Sequence, residues 1–372
     1  MDCVVVGAGI GGVAAALALA QRGHGVEVWE QAEALGEVGA GLQLGPNAVK
    51  VLRALGVAPP ADAPLAIEMR DDRSGRRIAE IPLNPGIEAR FGAPYWQLHR
   101  ADLLAALVEA AEAAGVAFRL GQRVEGVPEA ALVVGADGVR SELRAHVTGP
   151  SEPVFTGQMA WRGVIAGADM PKAWARRTQL CLGPGRHLVA YPLRGGALWN
   201  FVAVRERADW RAEGWSLRGD PEDLRIAFAD AAPEIRRFLD QVEETFLWGL
   251  FGHPPLERWH SGHVVLVGDA CHPMLPFLAQ GAAMAIEDAW VLAACLEADA
   301  GGLERYRARR FSRATRVQRS AAGNARIYHM AHPLLRWGLH TGIGLRAALP
   351  GGLLGRYGWL YGADVTANEA RG

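Results

Sequence analysis

The strongest acid–base candidates in this chain are His187 and Tyr191, four residues apart in the run Arg186-His187-Leu188-Val189-Ala190-Tyr191-Pro192. Imidazole changes charge near neutral pH and can accept or relay a proton. The run reads as a strand, and positions i and i+4 of a strand share a face. Both side chains can therefore line one cavity, although spacing alone equally describes a structural His–Tyr pair. A second group is made of carboxylates at strand ends. Val264-Val265-Leu266-Val267 runs into Gly268 and Asp269, and Leu132-Val133-Val134-Gly135 runs into Ala136 and Asp137. Ligands of open α/β sheets sit at such carboxyl ends. Beyond Asp269, a turn containing Pro273 and Pro276 leads to a helix beginning at Gly281 and Ala282. Its free N–H groups and partial positive charge suit an anionic or electron-rich group. A carboxylate beside a helix start fits a polyol-bearing cofactor better than a bare phosphate. The structural alternative is that Asp269 merely caps its turn.

The elements that must hold these groups begin at the N-terminus. Asp2-Cys3-Val4-Val5-Val6 is a buried strand, followed by Gly7-Ala8-Gly9-Ile10-Gly11-Gly12, an Ala/Leu helix over 13–21, and a strand ending on Glu30. Gly7, Gly9 and Gly12 match G-x-G-x-x-G, in which glycines allow a tight turn, approach of a pyrophosphate and helix–strand packing. Glu30 stands where a carboxylate holds a ribose hydroxyl pair. A glycine-rich, weakly charged loop, Glu37 to Asn47, contains Gln43 and allows a flat ligand near the backbone. Asn47 reads as the start of a helix reaching Leu55. Prolines interrupt short alternating runs between 66 and 98, indicating antiparallel strands. Arg100 opens the next helix, where a cation opposes the macrodipole and suggests an anionic partner; pairing with Asp102 is the alternative. Residues 153–255, with Arg162 among them, read as a second, mostly antiparallel sheet.

The C-terminal part reads as helical. Its arginines over 305–319 are expected on a solvated face, since no aromatic interleaving accompanies them. The apolar tail, Ala331 to Tyr361, is expected to pack on the body. The 372 residues carry a net charge of −1, with 50% hydrophobic and 21% charged residues, which describes an ordinary globular chain and excludes nucleic acid and anionic membrane as main partners. The four cysteines lack metal-ligand spacing, so no metal site is expected, and they suggest reduced, cytoplasmic thiols; Cys271 reads as a small buried filler. No basic segment precedes the uncharged run 3–20, which argues against a signal peptide.

Three separated motifs, GAGIGG with Glu30, GADGVRS, and GDACHPMLPFLAQGAAMAIEDA, together resemble the single-component (class A) flavoprotein aromatic monooxygenases over nearly the whole chain. The resemblance implies an α/β fold: a Rossmann-type FAD-binding domain (1–65, 96–150 and 262–302), a mainly antiparallel β-sheet substrate domain (66–95 and 151–261) and a C-terminal helical region (303–372). It implies FAD as cofactor, NADH or NADPH as reductant, O₂ as co-substrate and a small electron-rich aromatic substrate, hydroxylated through a flavin C4a-hydroperoxide. Gly7, Gly9 and Gly12 would hold the pyrophosphate, Glu30 the adenosine ribose, Asp269 the ribityl chain, and Gly281 and Ala282 the flavin's pyrimidine edge. Arg100 would contact FAD, and Asp137 belongs to a motif associated with FAD and reduced nicotinamide. His187 would act as base or relay near its working pKa, with Tyr191 fixing its tautomer or the substrate, while Pro276 and Gln43 would line the space between flavin and substrate. Within the group the chain is most similar to the salicylate hydroxylase-like and 6-hydroxynicotinate 3-monooxygenase-like enzymes. It departs from the latter at Gln43, where they carry histidine, and Thr178, where they carry cysteine. Gly281-Ala282-Ala283-Met284 replaces the hydroxybenzoate-type G-x-N-Q. The same chemistry on a non-benzoate substrate, by epoxidation or urate-type or natural-product hydroxylation, is the alternative. A monomer or homodimer is expected.

Overall fold

A computed structural model describes residues 1–36, 40–150, 152–167, 169–208, 217–297 and 301–367. Buried, β-branched runs form a six-stranded sheet in the order His260–Ser261, Val264–Leu266, Leu132–Gly135, Asp2–Val6, Gly25–Trp29, Ala117–Arg119. All its pairings are parallel except that of His260–Ser261. The strands that end in Gly7, Asp137 and Asp269 are thus neighbours with their carboxyl ends together. Helices Ile10–Ala20 and Gly281–Leu296 pack on this sheet, their small residues permitting close approach.

Alternating segments form the second sheet, eight strands in the order Leu217–Gly219, Thr245–Gly252, Val154–Ala166, Leu198–Glu206, Arg186–Leu193, Arg177–Gly183, Ala66–Asp71, Arg77–Pro82. It is antiparallel apart from Arg177–Gly183 against Ala66–Asp71. A short ribbon, Gly41–Leu44 with Trp96–His99, lies apart from both sheets. Residues 37–39 of the glycine-rich loop fall outside the described residues.

Three expectations need correction. Asn47 is no cap: helix Pro46–Ala54 is entered from Gly45, and the buried Asn47 amide donates to Gln280 Oε1 (3.1 Å) and Glu287 Oε1 (2.7 Å). The arginine-rich helix Gly302–Tyr328 is not solvated all along its arginine positions. Arg310 is only 1% exposed and pairs with Glu287 and Asp288, while Arg313 also grips Glu287 at 2.7 Å. Burial alone would raise both carboxyls, but the surrounding cations outweigh it and hold them below the usual range. The tail packs only in part. Leu354, Leu360 and Tyr361 are buried, whereas helix Pro333–Ala348 leaves Leu334, Leu335, Trp337 and Leu345 exposed. Cys271, like the other three cysteines, is free and buried.

Candidate active site

Between the two sheets lies a cavity of about 510 Å³, within the range of small-molecule sites. Its floor is the glycine turn. Gly7 has φ of +105°, and a side chain there would meet Ala136 O at 2.5 Å; one on Gly12 would meet Gly7 O at 1.9 Å. These two glycines are required by the chain's own packing. Gly9 differs: a Cβ there would meet nothing within 4 Å, and the residue lines the cavity. The open approach lies at the start of helix Ile10–Ala20, where first-turn N–H groups are free for an anionic group. Glu30 is held at the strand end by the N–H groups of Ala8 (2.8 Å) and Ala32 (2.9 Å).

Asp269 lines the cavity beside the start of helix Gly281–Leu296; its Oδ1 lies 4.0 Å from where a Cβ on Gly281 would be. Burial pushes its carboxyl up, opposed by the charges of His272, Arg100 and Arg144. Arg100 also lines the cavity, and Asp102 accepts from Arg194 at 2.7 Å. Arg162 is on the facing sheet, its guanidinium pushed down by burial and by Arg100. Asp137 behaves differently from Asp269. Its Oδ2 accepts the N–H groups of Glu142 (2.8 Å) and Leu143 (3.2 Å), and its neighbours Ala136 and Gly138 line the cavity.

The turn 268–281 is fixed from behind. Asp288 accepts the Gly268 N–H (3.0 Å), the His272 ring and Arg310 Nε (2.7 Å). Arg144, which sequence reasoning missed, ties the two strand-end turns together: it donates to the carbonyls of Asp269 (2.7 Å), Ala270 (2.8 Å), Val139 (2.7 Å) and Gly138 (3.3 Å). Its only sequence signal is its place three residues past Ser141. Pro276 opens a short 3-10 turn on the cavity wall, and Ala279, at φ of +51°, turns the chain into Gln280. Gly281 and Ala282 face the cavity, whereas Ala283 and Met284 are buried in the core, with Met284 Sδ 3.5 Å from Arg310 Nη2. The departure from G-x-N-Q, at Ala283 and Met284, thus falls on core positions.

Gln43 and Thr178, the other two departures, are partners. Gln43 Nε2 donates to Thr178 Oγ1 at 3.0 Å, and Gln97 donates to the same hydroxyl. His187 and Tyr191 both line the cavity, as their shared strand face requires. They are not partners. Tyr191 stands opposite Asn200 on the paired strand, and the Asn200 Oδ1 accepts the Gly41 N–H at 2.6 Å. His187 Nδ1 lies 2.7 Å from His329 Nε2, and His329 Nδ1 lies 3.2 Å from Glu206 Oε1. Phe277 and Tyr328 pack edge-on against the His187 ring. The expected pKa near neutrality is not what this site gives: burial, then His329, hold His187 well below 6.5.

His329 and His253 share that direction. Burial lowers His187 and His329, and burial with the Arg144 charge holds His253 at about 4. A depressed folded-state pKa means the unfolded chain takes up protons first. Stability is then full above pH 6.5 and declines as pH falls toward 4. Calorimetric Tm should fall through that window; a flat profile would show that these rings charge inside the fold.

The arrangement fits FAD on chain features alone. Gly9 offers open backbone, Asp269 a half-buried acceptor of hydroxyls, and the helix at Gly281 free N–H groups; beside them Gln280 Nε2 is buried without a partner among the described residues. Comparisons with known proteins agree. Residues 128–321 match the family model described as FAD binding domain, and residues 5–43 that described as NAD(P)-binding Rossmann-like domain. The chain is 35% identical to 3-amino-4-hydroxybenzoate 2-monooxygenase of Streptomyces platensis over 99% of its own length and 97% of the relative's. It is 36% identical to 6-hydroxynicotinate 3-monooxygenase of Pseudomonas fluorescens, covering 86% and 90% of the two chains. Klebsiella pneumoniae HpxO, solved with FAD and uric acid, superposes with a TM-score of 0.81 at 27% identity, covering 93% of each chain. FAD is the cofactor, a nicotinamide nucleotide the reductant, and the chain belongs to the FAD-dependent aromatic monooxygenases.

Proposed function

We propose that this enzyme hydroxylates a small carboxylated phenol or hydroxypyridine, with His187 as the base that removes the ring hydroxyl's proton. The observation that carries the reading is His187 itself: a buried imidazole on the cavity wall whose Nδ1 is committed to His329, leaving Nε2 for a ligand. Bound FAD, reduced by NADH or NADPH, supplies an electrophilic oxygen atom derived from O₂. An electrophile needs an electron-rich ring, and loss of the hydroxyl proton makes a phenol richer. Tyr191, on the cavity wall, orients the ring; Gln43, fixed by Thr178, and Pro276 shape the space beside it. Apolar neighbours such as Ile67, Leu180 and Val189 exclude water.

In this reading the backbone at Gly7, Gly9 and Gly12 takes the FAD pyrophosphate, Glu30 the adenosine ribose, Asp269 the ribityl hydroxyls and Arg100 an anionic part of the cofactor. The N–H groups at Gly281 and Ala282 face the pyrimidine edge. Asp137 acts through the backbone it holds, at the helix start of Glu142. Residues 1–65, 96–150 and 262–302 make the FAD-binding domain, 66–95 and 151–261 the substrate domain, and 303–372 the C-terminal helical region. A cytoplasmic monomer or homodimer suits the free cysteines; among the described residues no helix is long and apolar enough to cross a membrane.

The test is reduced-nicotinamide oxidation by the FAD-loaded protein across hydroxybenzoates, aminohydroxybenzoates and hydroxynicotinates, with peroxide assayed in parallel. One of these acids should stimulate oxidation without releasing peroxide. Stimulation by uric acid alone would reject the carboxylated class, and stimulation accompanied by full peroxide release would mark the acid as a mimic.

A further inference from the structure

We propose that His187, His329 and Glu206 form a proton wire that carries the substrate's hydroxyl proton from the cavity to solvent through the wall of the large sheet. The inference rests on the reading of His187 as base and extends it to two residues that touch no substrate. A buried base has a problem that the wall must solve. If His187 kept the proton it would be a cation in an apolar pocket, which burial opposes. A path that passes the proton on removes that cost.

The geometry supplies one. His187 is 1% exposed and His329 4%, whereas the Glu206 side chain is 56% exposed. The links are 2.7 Å and 3.2 Å, within hydrogen-bond reach. All three positions are anchored by secondary structure. His187 and Glu206 lie on paired strands, Arg186–Leu193 and Leu198–Glu206. His329 ends helix Gly302–Tyr328, and its carbonyl accepts the Gly185 N–H (3.1 Å) at the turn before His187.

The chain of bonds also sets every tautomer. The Glu206 carboxylate can only accept, so His329 must carry its proton on Nδ1 and present a bare Nε2. His187 must then carry its proton on Nδ1, which leaves Nε2 unprotonated and ready for the substrate hydroxyl. In the transfer the O–H bond of the substrate breaks and an Nε2–H bond forms on His187. The His187 Nδ1 proton passes to His329 Nε2, the His329 Nδ1 proton passes to Glu206, and Glu206 releases it to water. Both rings end neutral, as the opposite tautomers, and the reverse shift returns a proton to the product oxyanion. His329 and Glu206 are therefore positioning and relay residues.

Two measurements on the full-length, FAD-loaded protein test the wire. Nitrogen-15 spectra of histidine-labelled protein should show His187 protonated on Nδ1 and bare on Nε2; the opposite tautomer overturns the proposal whether or not any acid is turned over. Stopped-flow mixing with the acid selected by the panel, 3-amino-4-hydroxybenzoate being the first probe, in weak buffer with a pH indicator should show one proton released. Glu206→Gln keeps an acceptor but cannot carry a proton, and should slow release on the order of 10-fold with acid affinity unchanged. His329→Gln should do the same, and Glu206→Asp should restore most of the rate. Wild-type release in Glu206→Gln and His329→Gln, with slow release in His187→Ala, sinks the wire and keeps the base. Wild-type release in His187→Ala removes the base as well.

Discussion

Arg310→Ala should cost the enzyme roughly 3–5 kcal/mol of stability, the usual penalty for removing one partner of a buried ion pair. The guanidinium sits between two adjacent, fully buried carboxylates, giving Nε to Asp288 at 2.7 Å, Nη1 to Glu287, and Nη2 to the Met284 carbonyl at 3.3 Å. Without it, among the described residues Asp288 retains the His272 ring and the Gly268 N–H, and Glu287 retains Arg313 and Asn47. Two neighbouring carboxylates would then compete for one proton in a low-dielectric site. A loss of that size lowers Tm by about 5 °C in a chain of this scale. FAD affinity should fall with it, because Asp288 holds the turn that presents Asp269. Arg319, exposed on the same helix, is the control, and Arg319→Ala should stay within about 0.5 kcal/mol of wild type. Urea titration with flavin fluorescence as the second signal reads both effects. Equal midpoints for the two variants would show that the network contributes nothing net.

His187→Ala should lower hydroxylation by roughly 10²–10⁴-fold, the span of general acid–base contributions. FAD should remain bound, since His187 lies on the facing sheet and touches Phe277, Tyr328 and His329 rather than the glycine turn. Nicotinamide oxidation should continue with its oxidising equivalents lost as peroxide. Product and peroxide measured together distinguish this from simple loss of binding. Full coupling in the variant would take His187 out of the chemistry.

The parallel sheet and its glycine turn were legible because their signals are local. Gly7, Gly9, Gly12 and Glu30 fall within one strand–helix–strand unit, and the carboxylates at 137 and 269 each follow their own strand. The shared face of His187 and Tyr191 followed from strand periodicity. What escaped depends on residues far apart in sequence. Nothing near Arg310 announces Asp288, 22 residues away on another helix. Nothing near His187 announces His329, 142 residues on, so Tyr191 looked like the natural partner. The arginine-rich helix misled for a related reason: charge counts along a helix do not say which arginines meet carboxylates inside. The Gln43–Thr178 bond was equally hidden, although both positions stood out singly as departures.

Strand order has a consequence for how such a chain is made. Leu132–Gly135 sits between Asp2–Val6 and Val264–Leu266, so the central sheet joins segments about 130 residues apart. A ribosome must therefore release more than two thirds of the protein before the sheet's third carboxylate-bearing strand exists to pair. Contacts of such long range make folding slow and late. The delay has a protective side. Asp269 and the Gly281 helix arrive last, so a nascent or truncated chain lacks much of the flavin cradle and has little means of spending reductant on oxygen.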